Sequence, residues 1–184
     1  SITEVEKNLF IGNAGAAFDA PTLRNHGITA VVTILGKSLE ENAWCRDAIG
    51  KDSRWEKQLH KVRMIVPQSH SLHIRLLDSA DEDILGHMSE ICDFIEQHKG
   101  VPLEPWLTGP EDPKGTVLVH CYGGYCRSGA AVAAYLMRES RGLVGVDQAI
   151  KKIADTRGED VSRAFKDQLR LWGVLQYSLR ERDQ

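Results

Sequence analysis

Apolar residues occur along this chain in two patterns, short continuous runs and helical periodicities, and the two patterns alternate. A continuous run of β-branched and aliphatic residues is typical of a strand that is buried on both faces of a parallel sheet. Runs of this kind predict strands near residues 9–11, 28–35, 62–66, 72–77 and 116–120.

Helical patterns lie between and after the predicted strands. The clearest is an apolar periodicity of three and four residues, formed by Ile84, Met88, Ile91 and Ile95. Asp83 stands just before it and is interpreted as a helix cap or first-turn acid. A short helix is also expected from about Pro21 as far as Gly27. Three more predicted helices close the chain, near residues 129–139, 145–156 and 161–179.

Nothing in the sequence divides the chain, because it contains no repeat and no low-complexity linker. Its 184 residues suit one domain that is large enough to bury a proper core. Strands that alternate with helices indicate an α/β fold, in which a mainly parallel central sheet is flanked by helices. We therefore expect residues 1–184 to form a single α/β domain.

Two longer segments separate these elements. Residues 36–61 carry many charges, Trp44, Trp55 and helical spacing, so a helical excursion is expected there. Residues 100–115 are rich in proline, which indicates a loop. Because loops near a site commonly set specificity, these tryptophans and Trp106 are candidates to line a substrate surface. The more frequent role of such a tryptophan is to anchor its own loop.

Residues 116–129 combine a predicted strand, a cysteine, a glycine-bearing loop, an arginine and the start of a helix. The chain must turn sharply at the carboxyl end of this strand. Such junctions present backbone N–H groups and the positive end of a helix dipole, which together favour an anion. Gly123 and Gly124 allow the loop to aim those donors inward. A cysteine and an arginine around a bound anion indicate a site for attack on the phosphorus of a phosphate ester.

Four side chains around this loop have assignable roles. We expect Cys121 to be the nucleophile, because a helix N-terminus and nearby cations favour the thiolate form of a cysteine. Arg127 can curl back as a planar fork that binds two phosphate oxygens. Ser128 can donate a hydrogen bond to the sulfur and ease its departure, and His120 is expected to orient the loop rather than act as a base. The alternative is a merely buried Cys121, and the joint occurrence of these four residues argues against it.

Thiolate attack also needs a group that protonates the leaving oxygen and later activates water, and one carboxyl can serve in both steps. Candidates cluster in residues 78–83, which follow the predicted strand 72–77 and which we call the acidic run. Asp78 is the first acid beyond the carboxyl end of that strand, at the sheet edge where the Cys121 loop is expected. Asp78 is therefore the leading candidate and Asp81 the second. A purely solvated acidic loop is the remaining alternative.

The sequence His120-Cys121-x5-Arg127-Ser128 resembles the signature of the cysteine-dependent protein tyrosine phosphatase superfamily, and its surroundings resemble the dual-specificity branch. Weaker matching patterns occur near both ends of the chain, at residues 8–12, 23, 27–32, 149–150, 157, 165 and 168–169. The resemblance implies a reaction through a phosphocysteine intermediate, without metal or cofactor, and makes Asp78 the general acid. It also implies that segments 36–61 and 100–115 are insertions. The phosphate-binding loop would consist of Cys121, Tyr122, Gly123, Gly124, Tyr125, Cys126 and Arg127.

Two loop residues depart from the dual-specificity pattern. Gly123 stands where alanine is common, which is expected to cost some rigidity and little chemistry. Cys126 stands where serine or alanine is common, and the resulting Cys-x4-Cys-Arg-Ser spacing is similar to that of low-molecular-weight tyrosine phosphatases. In that family the second cysteine can pair with the first. We therefore hold two hypotheses open: Cys126 traps oxidised Cys121 as a reversible disulfide, or Cys126 fills a small space under the loop.

The loop contains no lysine, in contrast to phosphoinositide-directed relatives, and this favours a singly phosphorylated substrate. Tyr122 and Tyr125 would flank an aromatic phosphoester, although packing under the loop is the favoured role for Tyr125. The resemblance implies a protein phosphatase acting on phosphotyrosine, phosphoserine/threonine or both. The alternatives are a phosphatase of a nonprotein phosphoester, such as a lipid, glycan or nucleotide, and a catalytically weak phosphate-binding regulator.

Composition agrees with these expectations. A hydrophobic content of 42% and a charged content of 27% are typical of a globular protein. The net charge of −3 gives no footprint for nucleic acid, and no apolar run approaches the roughly 20 residues that membrane insertion needs. The four cysteines show no disulfide or zinc spacing, and residues 1–10 lack the hydrophobic stretch of a signal peptide, so a cytoplasmic or nuclear location is expected. The seven histidines form no pattern typical of a metal site.

Overall fold

The structure, a computed structural model, describes residues 1–41 and 54–182. Within these residues five strands form one sheet, in the order β1-β2-β5-β3-β4. Every neighbouring pair is parallel except β1 with β2. The strands are β1 (Ile2–Glu6), β2 (Leu9–Gly12), β3 (Ala30–Ile34), β4 (Ser71–Ile74) and β5 (Val117–His120).

Helices lie on both faces of this sheet. In chain order they include α1 (Ala14–Ala17), α2 (Ala20–Asn25), α3 (Arg54–Ile65), α4 (Leu85–His98), α5 (Cys126–Glu139), α6 (Val146–Arg157) and α7 (Arg163–Arg182). A single 3₁₀ turn, Gln68–His70, precedes β4. The predicted α/β class with a mainly parallel, helix-flanked sheet is thereby confirmed.

The apolar run at residues 62–66 is a wrong strand prediction, because these residues end helix α3 and continue just past it. Val62 and Val66 lie four positions apart and are both buried, whereas Met64 between them is 74% exposed. The run is therefore one buried face of a helix, a case that a short apolar run does not distinguish from a strand. The sequence prediction also missed β1, an edge strand that is only partly buried.

Alternate residues of the central strands pack into two separate cores, one on each face of the sheet. Val117 and Val119 pack with α4 to α7, in a cluster that includes Met88 and Phe165. Leu118, between them, packs on the other face with residues of α2 and α3. Burial of each such aliphatic side chain contributes about 1.5–3 kcal/mol. The two cores hold the sheet rigid from both sides.

Helix α5 is buried along almost its whole length, and small residues allow its neighbours to approach it closely. A Cβ placed on Gly129 would lie 2.9 Å from Val161 and 3.3 Å from Ile153. On another side, the indole N–H of Trp172 in α7 donates to the carbonyl of Ala134, 3.1 Å away. The helix that carries Arg127 is thus fixed by α6 and α7 as well as by the sheet.

The parallel register brings the carboxyl ends of four strands to one edge. Gly12 of β2 is paired with His120 of β5, His120 with Thr33 of β3, and the ends of β3 and β4 are paired through Ile34 and Ile74. The segments that follow these strands therefore meet at this edge. They carry α1, the loop after β3, the acidic run and the cysteine loop.

The two longer segments differ in what the structure describes. Residues 100–115 contain no helix and are closed by an isolated bridge between Pro102 and Lys114, so the loop prediction is confirmed. The second half of segment 36–61 includes the start of helix α3. Trp44 and Cys45 lie outside the described residues. Over residues 1–41 and 54–182, no helix combines the length and apolar character that crossing a bilayer requires.

Candidate active site

The loop between β5 and α5 turns through a glycine that no other residue can replace without strain. Gly124 has φ +84°. A Cβ at this position would lie 2.6 Å from the backbone of Gly12 and 2.7 Å from the guanidinium of Arg157. Glycine is therefore needed both for its backbone conformation and for the close approach of β2 and α6.

Arg157 fastens this loop to the N-terminal part of the chain. Its Nε donates to the carbonyl oxygen of Gly124 at 3.0 Å, and its Nη1 and Nη2 donate to the hydroxyls of Thr3 and Ser1 at 2.9 and 3.0 Å. Burial lowers the pKa of Arg157, and a negative charge on Cys121 opposes that shift. The positively charged guanidinium of Arg157 is thus in contact with the cysteine loop at Gly124.

Cys121 lies at the base of the loop and is only 1% exposed. The backbone N–H of Gly124 donates to its Sγ at 3.3 Å, and the hydroxyl of Ser128 lies 3.3 Å from the same sulfur. Two hydrogen-bonding groups thus converge on this sulfur. The structure brings Cys121 and Ser128 together as their proposed roles require.

Arg127 stands in the first turn of α5 and is buried. Its Nη1 donates to the carbonyl oxygen of Leu76 at 2.8 Å. Its Nε–H is buried and has no hydrogen-bond partner among the described residues. A buried cationic donor without an acceptor is costly, by about 1–3 kcal/mol or more. This N–H is therefore available to an anion bound in the loop.

His120 is completely buried under the loop. Its Nδ1 donates to the carbonyl oxygen of Cys121 at 3.3 Å, and its Nε2 lies 2.7 Å from the hydroxyl of Thr33, which donates to it in this tautomer. Burial lowers the pKa of His120 to about 4, and the positive charge of Arg127 adds to this shift. A neutral imidazole with both nitrogens engaged supports an orienting role.

Thr33 was not identified from the sequence. It is buried in β3, and it pairs in the sheet with His120 as well as bonding to it. Its one signal was a lone polar residue in the apolar strand Ala30–Ile34. A buried threonine in a central strand requires a partner for its hydroxyl, and here the partner is the histidine before the cysteine.

Asp78 follows β4 and is exposed. It lines the same cavity as Arg127, Gly123 and Tyr122, so the structure places this carboxyl beside the loop. Asp83, in contrast, lies one residue before the N-cap Ile84, and its carboxylate accepts from the backbone N–H of Gly86 in the first turn of α4 at 3.0 Å.

Helix α7 forms hydrogen bonds to the C-terminal end of the acidic run. The side chain of Gln168 donates from Nε2 to the carbonyl of Glu82 and accepts from the N–H of Leu85 through Oε1, each at 2.9 Å. At the near end, Arg127 holds the carbonyl of Leu76. The segment that carries Asp78 is therefore fixed on both sides.

Cys126 begins helix α5 and is mostly buried. Burial raises the pKa of the Cys126 thiol, and the negative charge of Asp78 adds to this shift while hydrogen bonds from Ser162 oppose it. Cys121 and Cys126 are both free thiols in this structure. The disulfide hypothesis for this pair stays a prediction.

The two tyrosines of the loop differ in their surroundings. Tyr122 is 76% exposed, and its carbonyl accepts from the N–H of Ala14 in α1. Tyr125 is half-buried and packs against the main core. A Cβ on Gly123 would lie 2.7 Å from the Tyr125 ring. The Tyr125 ring thus leaves no room for a side chain at position 123. Glycine at this position therefore has a packing role in addition to the expected loss of rigidity.

A cavity of about 720 Å³ opens over the loop. Arg127 and Gly123 of the loop line it. Its other lining residues come from α1, the loop after β3, α3 and the acidic run, and they are Asn13, Ala14, Gly15, Phe18, Leu35, Gly36, Lys37, Leu39, Trp55, Leu77, Asp78 and Tyr122. Among residues 1–41 and 54–182, no cluster of three or more His, Cys, Asp or Glu side chains is placed to hold a metal ion.

The chain is similar in sequence to dual specificity protein phosphatases. Dual specificity protein phosphatase 12 of Homo sapiens is 28% identical over 177 residues, which are 96% of this chain and 42% of the human protein. Dual specificity protein phosphatase 26 of Mus musculus is 30% identical over 166 residues, 90% of this chain and 64% of the mouse protein. The chain thus spans less than two thirds of either relative.

The fold is also similar to solved structures. The crystal structure of the Yvh1 phosphatase domain from Chaetomium thermophilum superposes with a TM-score of 0.69 at 23% identity, covering 95% of this chain and 96% of that one. The sequence model described as "Dual specificity phosphatase, catalytic domain" matches residues 9–174, which include every candidate site residue. The chain therefore belongs to the dual specificity phosphatase family, through its catalytic domain.

Proposed function

We propose that residues 1–184 form one catalytic domain of a protein phosphatase that hydrolyses phosphotyrosine, phosphoserine/threonine or both through a phosphocysteine intermediate. The observation that carries this proposal is the buried, unpartnered Nε–H of Arg127, on the same loop as the Cys121 sulfur, with which Gly124 N–H and the Ser128 hydroxyl make hydrogen bonds. A bound phosphate would accept from the arginine and lie within reach of the thiolate. Segments 36–61 and 100–115 would be insertions in this domain.

The first chemical step transfers the phosphoryl group to sulfur. The Cys121 thiolate attacks phosphorus, an S–P bond forms, and the P–O bond to the substrate breaks. Arg127 and the backbone N–H groups of the loop bind the nonbridging oxygens as charge spreads over them. Asp78 gives its proton to the leaving oxygen, so the substrate departs as a neutral alcohol or phenol.

The second step returns the enzyme to its starting state. Asp78, now a carboxylate, takes a proton from a water molecule, whose oxygen attacks the phosphorus of the phosphocysteine. The S–P bond breaks and Cys121 leaves as a thiolate. The hydroxyl of Ser128 lies 3.3 Å from this sulfur and donates to the charge that develops on it. Inorganic phosphate then leaves the loop.

The proposed redox role of Cys126 adds a protective reaction. Peroxide oxidises the Cys121 thiolate to a sulfenic acid, Cys126 attacks that sulfur, the S–S bond forms, and water leaves. Two thiols return when an external dithiol reduces the bond. Because the pKa of Cys126 is raised by burial, little of its thiolate is present at neutral pH, and we expect the trapping step to be slow. A reducing cytoplasmic or nuclear compartment suits such a thiol pair.

Release of phosphate from an aryl phosphate and from phosphopeptides tests the proposal. We expect the parent protein to turn over both, and Cys121→Ser to abolish turnover while retaining binding of the phosphopeptide. Cys92→Ser is the matched control, because Cys92 lies on α4 and is not part of the loop. A parent protein that binds phosphopeptides and releases no phosphate would instead be a phosphate-binding regulator.

A further inference from the structure

The cavity over the loop is larger than a phosphate group requires. Its volume of about 720 Å³ lies within the roughly 300–1,000 Å³ of sites that hold a drug-sized ligand. Of its lining residues, the proposed reaction uses Arg127, Gly123 and Asp78. The rest of the cavity has no role in that reaction.

The part of the cavity that the proposed reaction does not use has mainly apolar walls. We call this part the flanking subsite. Its members share an apolar or aromatic side chain that lines the cavity, and they are Phe18, Leu35, Leu39, Trp55, Leu77 and Tyr122. Leu77 and Tyr122 are 59% and 76% exposed and form its rim beside the phosphate loop. Exposed apolar groups around a concavity are typical of a binding site rather than of a closed core.

The aromatic wall of the flanking subsite is built separately from the two main cores. Phe18 and Leu39 form a small cluster of their own, against which Trp55 packs. The rings of Phe18 and Trp55 lie 5.2 Å apart at an interplanar angle of 33°. The side chain of Gln58 donates to the carbonyl of Phe18 at 2.6 Å and fixes α3 against this turn. The wall is thus a preformed surface, held by its own contacts.

The charges around the cavity argue for a particular occupant. Apart from Arg127 and Asp78, Lys37 is the charged side chain among the described lining residues. A highly phosphorylated or acidic ligand would require more cations than this. An apolar group, in contrast, gains from every wall of the flanking subsite.

We propose that the flanking subsite binds a bulky apolar side chain of the phosphoprotein, one that neighbours the phosphorylated residue. This inference rests on the proposed phosphatase function and adds a local sequence preference to it. The phosphate occupies the loop at Arg127, and the neighbouring leucine, methionine or phenylalanine packs against the wall formed by Phe18 and Trp55 and against Leu77. Apolar pockets of this kind discriminate by about 10-fold or more in kcat/KM.

Matched phosphopeptides test the flanking subsite. The peptides differ only in having leucine, phenylalanine or asparagine at each of the two positions on either side of the phosphorylated residue. We expect the parent protein to prefer an apolar residue at one of these positions by about 10-fold or more in kcat/KM. In Trp55→Ala and in Leu77→Asn this ratio falls toward one. Trp106→Ala is the matched control: Trp106 is 74% exposed, does not line the cavity, and its removal keeps the ratio.

Three outcomes would overturn the inference. These are a parent protein with no preference among the peptides, a Trp55→Ala variant that slows all peptides equally, and faster hydrolysis of a phosphoinositide in vesicles than of any peptide. Binding of the same peptides to Cys121→Ser, measured by fluorescence anisotropy, reports the preference without turnover. A preference in binding with no turnover by the parent protein contradicts the proposed function and leaves the subsite standing.

Discussion

Arg127 donates a hydrogen bond from Nη1 to the carbonyl oxygen of Leu76, 2.8 Å away and two residues before Asp78. One guanidinium thus carries an unpartnered Nε–H and, through Nη1, bonds to the segment that leads into the acidic run. The arginine sits on a helix whose first turn is buried, so its position is set by packing rather than by the ligand. Phosphate binding and placement of the proposed acid are therefore coupled through this side chain.

Arg127→Lys tests this coupling. A lysine keeps the positive charge but loses the fork that bonds to the Leu76 carbonyl and to phosphate at once. We expect kcat/KM for an aryl phosphate to fall by about 100-fold or more, as for removal of one strong transition-state donor. Arg24→Lys, at an exposed position of α2, is the control and should retain activity. Near-parent activity of Arg127→Lys would show that charge alone is sufficient.

Asp78→Asn tests the assignment of the general acid. An amide cannot give up a proton to the leaving oxygen, so we expect kcat/KM for a phosphopeptide to fall by about 100-fold. Asp81→Asn is the matched control on the same segment, and it should keep the parent rate. Exchange of these two outcomes would transfer the acid role to Asp81.

Cys126→Ser tests the redox proposal. After peroxide treatment and reduction by a dithiol, the parent protein should recover most of its activity, because the disulfide protects Cys121 from sulfinic acid. The variant, which has no second thiol on the loop, should recover much less. Mass spectrometry of the oxidised parent should show a link between Cys121 and Cys126. Equal recovery of both proteins would leave Cys126 as a residue that fills space under the loop.

Gly124→Ala tests the requirement for glycine in the loop. A Cβ there would collide with the Gly12 backbone, and φ +84° is unfavourable for alanine, so we expect a loss of about 1–3 kcal/mol in the free energy of unfolding and a large loss of activity. Gly27→Ala is a matched control, since Gly27 has φ +65° and open space around it. Urea denaturation of both variants separates the collision from the backbone conformation. Equal losses would mean that the loop adjusts to the added carbon.

The sequence predicts the central sheet well, because strands β2, β3 and β5 are continuous apolar runs that need burial on both faces. It also predicts the cysteine loop, whose chemistry lies within a few consecutive residues. The contacts that fasten this loop are not local. Arg157 bonds to Thr3 across 154 positions, and His120 bonds to Thr33 across 87. Single polar side chains at such separations leave no periodic pattern, so sequence reasoning passed over Thr33.

The flanking subsite also depends on residues that are far apart in the sequence. Phe18, Leu39 and Trp55 belong to three different segments. The sequence makes Trp55 a candidate to line a substrate surface, and the cavity includes it, but Phe18 and Leu39 alone are ordinary apolar residues. Only the common sheet edge brings them to the cavity beside Arg127. The strand prediction for residues 62–66 was wrong for a related reason. The burial of these residues depends on how α3 packs on the sheet and not on the apolar run itself.

His120 should make the stability of the protein depend on pH. Its pKa is about 4 in the folded protein against an ordinary value of 6.5, so the unfolded chain binds more protons between these values. The stabilisation is complete above pH 6.5 and is lost as the pH falls toward 4. The shift corresponds to up to about 3 kcal/mol in the free energy of unfolding.

Urea denaturation between pH 4 and pH 7 measures this effect. His120→Asn removes the titrating group, and its stability should fall less steeply with acid than that of the parent protein. His60→Asn is the control, because His60 is exposed, and it should follow the parent curve. If His120→Asn and the parent lose stability in parallel, the imidazole is not held neutral by its burial. The hydrogen bonds to Thr33 and Cys121 would then have to accommodate a charged ring, and the orienting role proposed for His120 would fail with them.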